Sequence, residues 1–265
     1  MTEHIPKKSL GQHWLHDIDV LQAIVAKAAI APSDFVVEIG PGLGTLTSEL
    51  LATDATVLAI EYDDLLIAGL QAKYANRPNF QLTHGDVLTF NFNTLPTNYK
   101  VVANIPYYLT SQLLRILSDV TNKPVSADLL MQKEVTERVC AVPGDMSILA
   151  VALQSEYTAT MGEFVPAALF TPPPKVDSLI LHLERRSQPL VPSEERSAFM
   201  RIVKAGFSAK RKTLRNTISS GLHVSKETST HLLETTHIIP ERRAETLSLE
   251  EWKALYSNCQ EFIKA

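Results

Sequence analysis

The sequence predicts an α/β protein: an open, mostly parallel sheet layered by helices, followed by a small all-helical domain. Three observations carry this. Short apolar, β-branched runs at 35–39, 56–60, 80–86 and 99–103 alternate with helical stretches. These runs end in a glycine, an acid or an asparagine, the residues that serve a site. Past residue 193 the apolar spacing is helical to the end of the chain.

The first strand runs into Gly40, Gly42 and Gly44 at alternate positions, and a helix starts at Thr45. Glycines let the backbone approach a ligand, and a helix start offers unpaired N–H groups. This spacing is not the G-x-G-x-x-G of dinucleotide binders. Glu38, just before it, suits a ligand with a cationic amine better than a pyrophosphate. The plainer alternative is a structural strand-to-helix turn, which also takes glycine. The second strand ends in Glu61, about 20 residues past the first glycine, where Rossmann-like folds hold ribose hydroxyls. The third ends in Asp86, placed to accept a hydrogen bond from an adenine amino group. Taken alone, an acid after a strand is as often a helix cap. The ordered set fits ligand binding at the C-terminal edge of an open sheet.

The fourth strand leads into Asn104-Ile105-Pro106-Tyr107. Proline fixes the turn and keeps Ile105 out of the helical region. The Asn104 side-chain oxygen and the Ile105 carbonyl can then accept both hydrogens of one exocyclic amine, and Tyr107 can stack on the base that carries it. An adenine N6 amine is a poor nucleophile because its lone pair is spread into the ring. Two acceptors favour the tetrahedral nitrogen that attacks a methyl group, with no strong base required. The alternative is a structural Asn-Pro turn.

With these motifs stand Gly11-Gln12-His13-Trp14-Leu15, Gln132-Lys133-Glu134-Val135 and the 170–178 run Phe-Thr-Pro-Pro-Pro-Lys-Val-Asp-Ser. Together they resemble the S-adenosylmethionine-dependent ribosomal RNA adenine N6-dimethyltransferases of the bacterial small-subunit (16S) type, from about Lys7 to past Asn216. The resemblance implies a Rossmann-like sheet of seven mostly parallel strands. It implies a catalytic set of Asn104, Pro106, Tyr107 and Phe170, the last a second aromatic wall unless it is a core anchor. It implies S-adenosylmethionine held by His13, Leu15, Gly40, Gly42, Glu61, Asp86 and Asn104, with no metal. The implied reaction puts two methyl groups on each of two adjacent adenosines near the 3′ end of 16S rRNA, in the small ribosomal subunit or its precursor. Lys210, Arg211, Lys212 and Arg215 are the expected RNA contacts. His13 and Trp14 stand where the family usually has Asn and Phe. Backbone contacts survive that change, and a neutral imidazole can mimic an amide.

The remaining elements follow in order. Asp17 caps a helix over 18–29, and Pro32-Ser33-Asp34 punctuates the chain before the first strand. Helices follow at 63–75 and at 110–120, where Leu113, Leu114 and Leu117 share a face. A strand at 127–131 leads into a helix ending near Pro143-Gly144. Strands at 157–165 and 176–183 finish the sheet, one of them antiparallel. The polar, proline-bearing stretch 187–193 divides the chain into a domain over 1–188 and one over 189–265. Helices there start at Ser193 and cover 214–218, 226–233 and 249–262, the last opened by Ser248 with Glu251 three residues on.

Composition bounds the function. Two distant cysteines argue against a disulfide framework, no apolar run is long enough to span a bilayer, and residues 1–10 lack a signal-peptide core. A cytoplasmic monomer is expected. The net charge of −4 does not advertise nucleic-acid binding, but from Arg196 to Arg215 there are cations and no acid. A nicotinamide dehydrogenase would leave Asn104–Tyr107 without a purpose. The remaining rivals are the large-subunit RNA methyltransferases of antibiotic resistance and a nonenzymatic assembly factor on the same fold.

Overall fold

The computed structural model describes residues 11–263. The basic stretch Lys7–Leu10 lies outside them. The chain divides into two compact units. One holds the described residues up to Thr136 together with Thr158–Arg185, and the other holds Glu137–Tyr157 with the chain from Arg186 onward.

The first unit is built on a seven-stranded sheet. In chain order its parts are β1 (Trp14–Leu15), α1 (Ile18–Lys27), β2 (Phe35–Ile39), α2 (Thr45–Leu51), β3 (Thr56–Glu61), α3 (Asp64–Lys73), β4 (Phe80–His84), β5 (Lys100–Asn104), α4 (Thr110–Asp119) and β6 (Ser126–Gln132). Then come α5 (Lys133–Val139), whose residues past Thr136 belong to the second unit, α6 (Ile148–Gln154), also of the second unit, and in the first again β7 (Tyr157–Val165), β8 (Phe170–Thr171) and β9 (Ser178–Arg185). The large sheet runs β4-β3-β2-β5-β6-β9-β7. The pairs among β4, β3, β2, β5 and β6 are parallel, and β9 lies antiparallel to β6. Helices cover both faces of the central strands, which explains why Val36, Val37, Val101, Val102 and Ala103 are all fully buried and none alternates with a polar residue. Asp17 caps α1 by accepting from the Val20 N–H, and Asp63 caps α3 by accepting from the Leu65 N–H.

Two elements were not legible in the sequence. Trp14–Leu15 pairs antiparallel with Phe170–Thr171 in a separate two-stranded ribbon. Two-residue strands are too short to carry a periodicity. The apolar segment Ile148–Gln154 is a helix capped by Ser147, whose hydroxyl accepts from the Ala150 N–H.

The second unit adds α7 (Arg196–Gly206), α8 (Leu214–Leu222), α9 (Lys226–Glu234) and α10 (Leu249–Ile263). Its core gathers Phe199, Ile202, Leu233, Trp252 and Leu255, all fully buried. The backbone of α7 and α8 comes close at Gly221, where a β-carbon would lie 2.4 Å from that of Ala205. Ser248 and Glu251 form the reciprocal cap expected of α10: the Ser248 N–H donates to Glu251 (2.8 Å) and the Glu251 N–H donates to Ser248 (3.1 Å).

A single cut between 188 and 189 therefore differs from the observed division, which assigns 137–157 to the second unit. Side-chain chemistry explains the difference. Met146, Ala150 and Val151 enter the helical core, and the Gly144 and Met146 amides donate to the Glu245 carbonyl. Arg196 bonds Glu156 at 2.8 Å and the Ser155 hydroxyl at 3.0 Å, with both charged side chains under 10 % exposed. Arg196 is thus a core residue, although the sequence groups it with the surface cations. Arg196→Ala takes the guanidinium away from a buried carboxylate, so the unfolding free energy should fall by about 3–5 kcal/mol. Urea titration followed by circular dichroism checks this, with Lys210→Ala, an exposed change worth at most about 0.5 kcal/mol, as the control.

Candidate active site

The strand order reverses at β2, which has β3 on one side and β5 on the other. At such a switch point the loops leaving the strands part and open a crevice. A cavity of about 310 Å³ lies there, entirely within the first unit. The ends of β2, β3 and β5 and the turn after β4 wall it with Glu38, Glu61, Asn104 and Asp86.

The glycine turn is left-handed three times over. Gly40, Gly42 and Gly44 have φ of +66°, +59° and +74°, a region that side chains with a β-carbon avoid. Bonds from the next strand and helix hold this shape. The Gly42 N–H donates to Glu61 Oε2 at 3.1 Å. The Gly44 carbonyl accepts from the Tyr74 hydroxyl at 2.5 Å and from Lys73 Nζ at 3.0 Å.

The three acids have different surroundings. Glu61 is 6 % exposed and also accepts from the Asp63 N–H at 2.8 Å. A carboxylate has about four acceptor sites, so these amides still leave room for a ligand hydroxyl. Burial raises the Glu61 pKa, and the amides partly oppose that. Asp86 Oδ1 accepts from the Leu88 N–H at 2.9 Å, a turn-capping bond, while the residue still faces the cavity. Glu38 is 1 % exposed, and neither of its oxygens has a hydrogen-bond partner. Burial pushes its pKa up to about 8, and the Thr47 hydroxyl lowers it only partly, at a geometry short of a hydrogen bond. Glu61 raises it further and Lys73 lowers it. A buried carboxylate without a partner, at the mouth of a glycine turn, fits a cationic ligand.

The opposite wall is the Asn104–Tyr107 turn. Asn104 Nδ2 donates to the His13 carbonyl at 3.4 Å, which leaves Oδ1 as the acceptor. The Ile105 N–H donates to Leu130 at 3.1 Å and pins the turn to β6. The Tyr107 hydroxyl shares a 2.8 Å hydrogen bond with Ser178, and burial raises its pKa. The Tyr107 ring lies 5.7 Å from the His13 imidazole at 30°. His13 Nδ1 is 2.6 Å from the Pro172 carbonyl, which can only accept, so Nδ1 carries the proton. Leu15 is buried behind this wall, and its carbonyl accepts from the Thr45 hydroxyl at 3.0 Å.

Phe170 borders the cavity, but β8 holds it 3 % exposed among core side chains. Pairing with Leu15 sets Phe170 in the core while it still borders the cavity, so the wall and the anchor readings do not exclude each other. The sequence assigns no site role to Trp14, Tyr108 or Ser178. Trp14 and Tyr108 line the cavity, and Ser178 orients Tyr107. The adjacent tyrosines at 107 and 108 were the available signal for Tyr108.

In the second unit Lys210, Arg211 and Lys212 are exposed in the turn between α7 and α8. Arg215, on α8, is 3.4 Å from Glu241, with both side chains substantially exposed.

The sheet order, the glycine corner and the acid at the end of β3 define a Rossmann-like, S-adenosylmethionine-dependent methyltransferase. Residues 4–256 match the family described as ribosomal RNA adenine dimethylase, and the chain belongs to that family. Among its relatives is a "Ribosomal RNA small subunit methyltransferase A" of Dehalococcoides mccartyi, 42 % identical over 94 % of this chain and 87 % of the relative. Another, of the same description, from Moorella thermoacetica is 39 % identical over 97 % and 93 %. Among solved structures, a dimethyladenosine transferase from Plasmodium falciparum has a TM-score of 0.82 at 27 % identity, covering 94 % of this chain and 98 % of that one. The 23S rRNA methyltransferase ErmE has 0.77 at 25 %, covering 93 % and 99 %.

The Glu38 carboxyl gives a test of the site's electrostatics. Its pKa is near 8 in the fold against an ordinary 4.5, so the folded state holds a proton that the unfolded chain has lost. The contribution of this carboxyl to stability is therefore fully present below 4.5 and is lost as pH rises towards 8. Glu38→Gln should flatten the decline in melting temperature between pH 5 and pH 8. An unchanged slope in thermal scans at several pH values would show that this carboxyl ionises normally.

Proposed function

We propose that the protein dimethylates N6 of two adjacent adenosines near the 3′ end of 16S rRNA, in the small ribosomal subunit or its precursor, acting as a monomer in the cytoplasm. The observation that carries this reading is the Asn104–Tyr107 turn, with Asn104 Nδ2 engaged by His13 and its Oδ1 left to accept. The small-subunit assignment is supported by relatives near 40 % identity that bear that description, against 25 % for the large-subunit enzyme. Among the described residues no helix is long and apolar enough to cross a membrane.

In this reading Glu61 accepts from the ribose hydroxyls, Asp86 from the cofactor's adenine amine, and Glu38 faces its positive charge. His13 and Leu15 border its methionine end, beside the Gly40–Gly42 turn. S-adenosylmethionine, when bound, supplies an electrophilic methyl group. Asn104 Oδ1 and the Ile105 carbonyl accept the two N6 hydrogens, drawing the nitrogen lone pair out of conjugation. Pro106 fixes the turn, Tyr107 stacks on the target adenine, and Phe170 supports it from β8. The Ser178 bond holds the Tyr107 ring in place, so Tyr107→Phe keeps the ring but loses its tether. Lys210, Arg211, Lys212 and Arg215 contact phosphates, which position RNA without reading its sequence.

Asn104→Ala should bind RNA nearly as the wild type does and methylate far more slowly in a single turnover, because the lost contact strengthens only as the nitrogen becomes tetrahedral. The assay uses saturating S-adenosylmethionine and small subunits from a strain lacking the modification, read by primer extension. A wild-type single-turnover rate would make the turn structural and the mechanism wrong.

Replacing Lys210, Arg211 and Lys212 by alanine should weaken RNA binding and flatten its salt dependence, by about 0.7–0.9 in the log–log slope per lost phosphate contact. Cofactor affinity should stay unchanged. Filter binding across a salt series measures this, and an unaltered slope removes the basic turn from the interface.

A further inference from the structure

β7 is the last strand of the large sheet, and its middle is open to solvent. Phe164 on this strand is 51 % exposed. Met161 on the same strand and Val176 are exposed too, at 54 % and 45 %. Lys133, the exposed first residue of α5, holds its ammonium 5.8 Å from the centre of the Phe164 ring. A cation over an aromatic face is a pairing that RNA-binding surfaces use for bases and phosphates.

This pair is continuous with the wall of the cavity. The Lys133 N–H donates to the Asp177 carbonyl at 3.0 Å. Asp177 Oδ1 accepts from the Ala167 N–H at 2.9 Å, which ties the chain just after β7 to the same point. The next residue, Ser178, pairs with Gln132 across the sheet and bonds the Tyr107 hydroxyl. Lys175 and Val176 beside them are exposed as well. The relay from Lys133 through Asp177 and Ser178 to the Tyr107 hydroxyl puts the Lys133–Phe164 pair on the side of the sheet from which a neighbouring nucleotide would approach.

We propose that Phe164, flanked by Lys133, is a stacking platform for a nucleotide next to the target adenosine. This rests on the rRNA reading above. The base takes the ring face, and the Lys133 ammonium turns to the adjoining phosphate. Glu134 and Glu163 are also exposed nearby, so stacking rather than net charge supplies most of the contact. The plainer possibility is a lysine stem shielding an apolar ring.

The experiment compares wild type with Phe164→Ala, Phe164→Leu and Phe164→Tyr on small subunits from a strain lacking the modification. Phe164→Ala and Phe164→Leu should both raise KM for the subunit about tenfold with kcat little changed, in line with the measured worth of one stacked base. Phe164→Tyr should stay near wild type. Leucine keeps the apolar bulk and tests stacking apart from folding, and calorimetry should give wild-type cofactor affinity in every variant. A photoreactive benzoylphenylalanine at position 164 should cross-link to rRNA within a few nucleotides of the target. Wild-type KM in the alanine and leucine variants, or a cross-link mapping elsewhere, overturns the platform and leaves the methyltransferase reading intact. A wild-type enzyme that methylates no small-subunit RNA overturns the reading itself.

Discussion

The site depends on a backbone shape that its own residues hold only in part, through the Gly44 N–H donating to the Pro41 carbonyl at 2.9 Å. Three glycines in the left-handed region have no β-carbon to restrict them, so the turn after β2 is flexible by composition. The rest of the shape comes from outside, through Glu61 on the Gly42 amide and through Tyr74 and Lys73 on the Gly44 carbonyl. β3 and the end of α3 therefore set where the Gly42 amide and the Gly44 carbonyl point. Glu61 serves twice in this reading, building the corner and accepting from the ligand. That accounts for its being nearly buried while still at the cavity wall.

Glu38 is buried without compensation on either oxygen. Most buried polar groups find a partner, and here two carboxylate oxygens do not. Such a group disfavours the ligand-free fold at neutral pH and favours whatever positive charge comes to meet it. The cost to stability and the preference for a cation are two sides of one arrangement.

Much of this was legible in the sequence because it is local. The glycine spacing, the acid after β3, the Asn104–Tyr107 turn and the cap of α10 each lie within a few residues, and local chemistry decides them. What escaped was settled by distant partners. Phe170 reads as a loop aromatic until Leu15 pairs with it. Arg196 reads as a surface cation until Glu156 and Ser155 surround its guanidinium. Residues 137–157 read as part of the sheet domain until Met146 and Val151 join the helical core. The exposure of Lys210–Lys212, by contrast, follows from the turn that carries them.

The ribbon of β1 and β8 has a consequence for the order of events during synthesis. It joins the two ends of the first unit, and the bond from His13 to Pro172 spans 159 residues. Contacts of such long range form late, because the intervening chain must be ordered first. Chains made at about 5–20 residues per second fold from the N-terminus onward. The glycine corner and the Asn104 turn are synthesised well before the strand that closes over His13. A nascent chain therefore carries the glycine corner for several seconds before it can carry a complete wall around Tyr107. The enzyme gains its reactive geometry only when most of it has left the ribosome that made it.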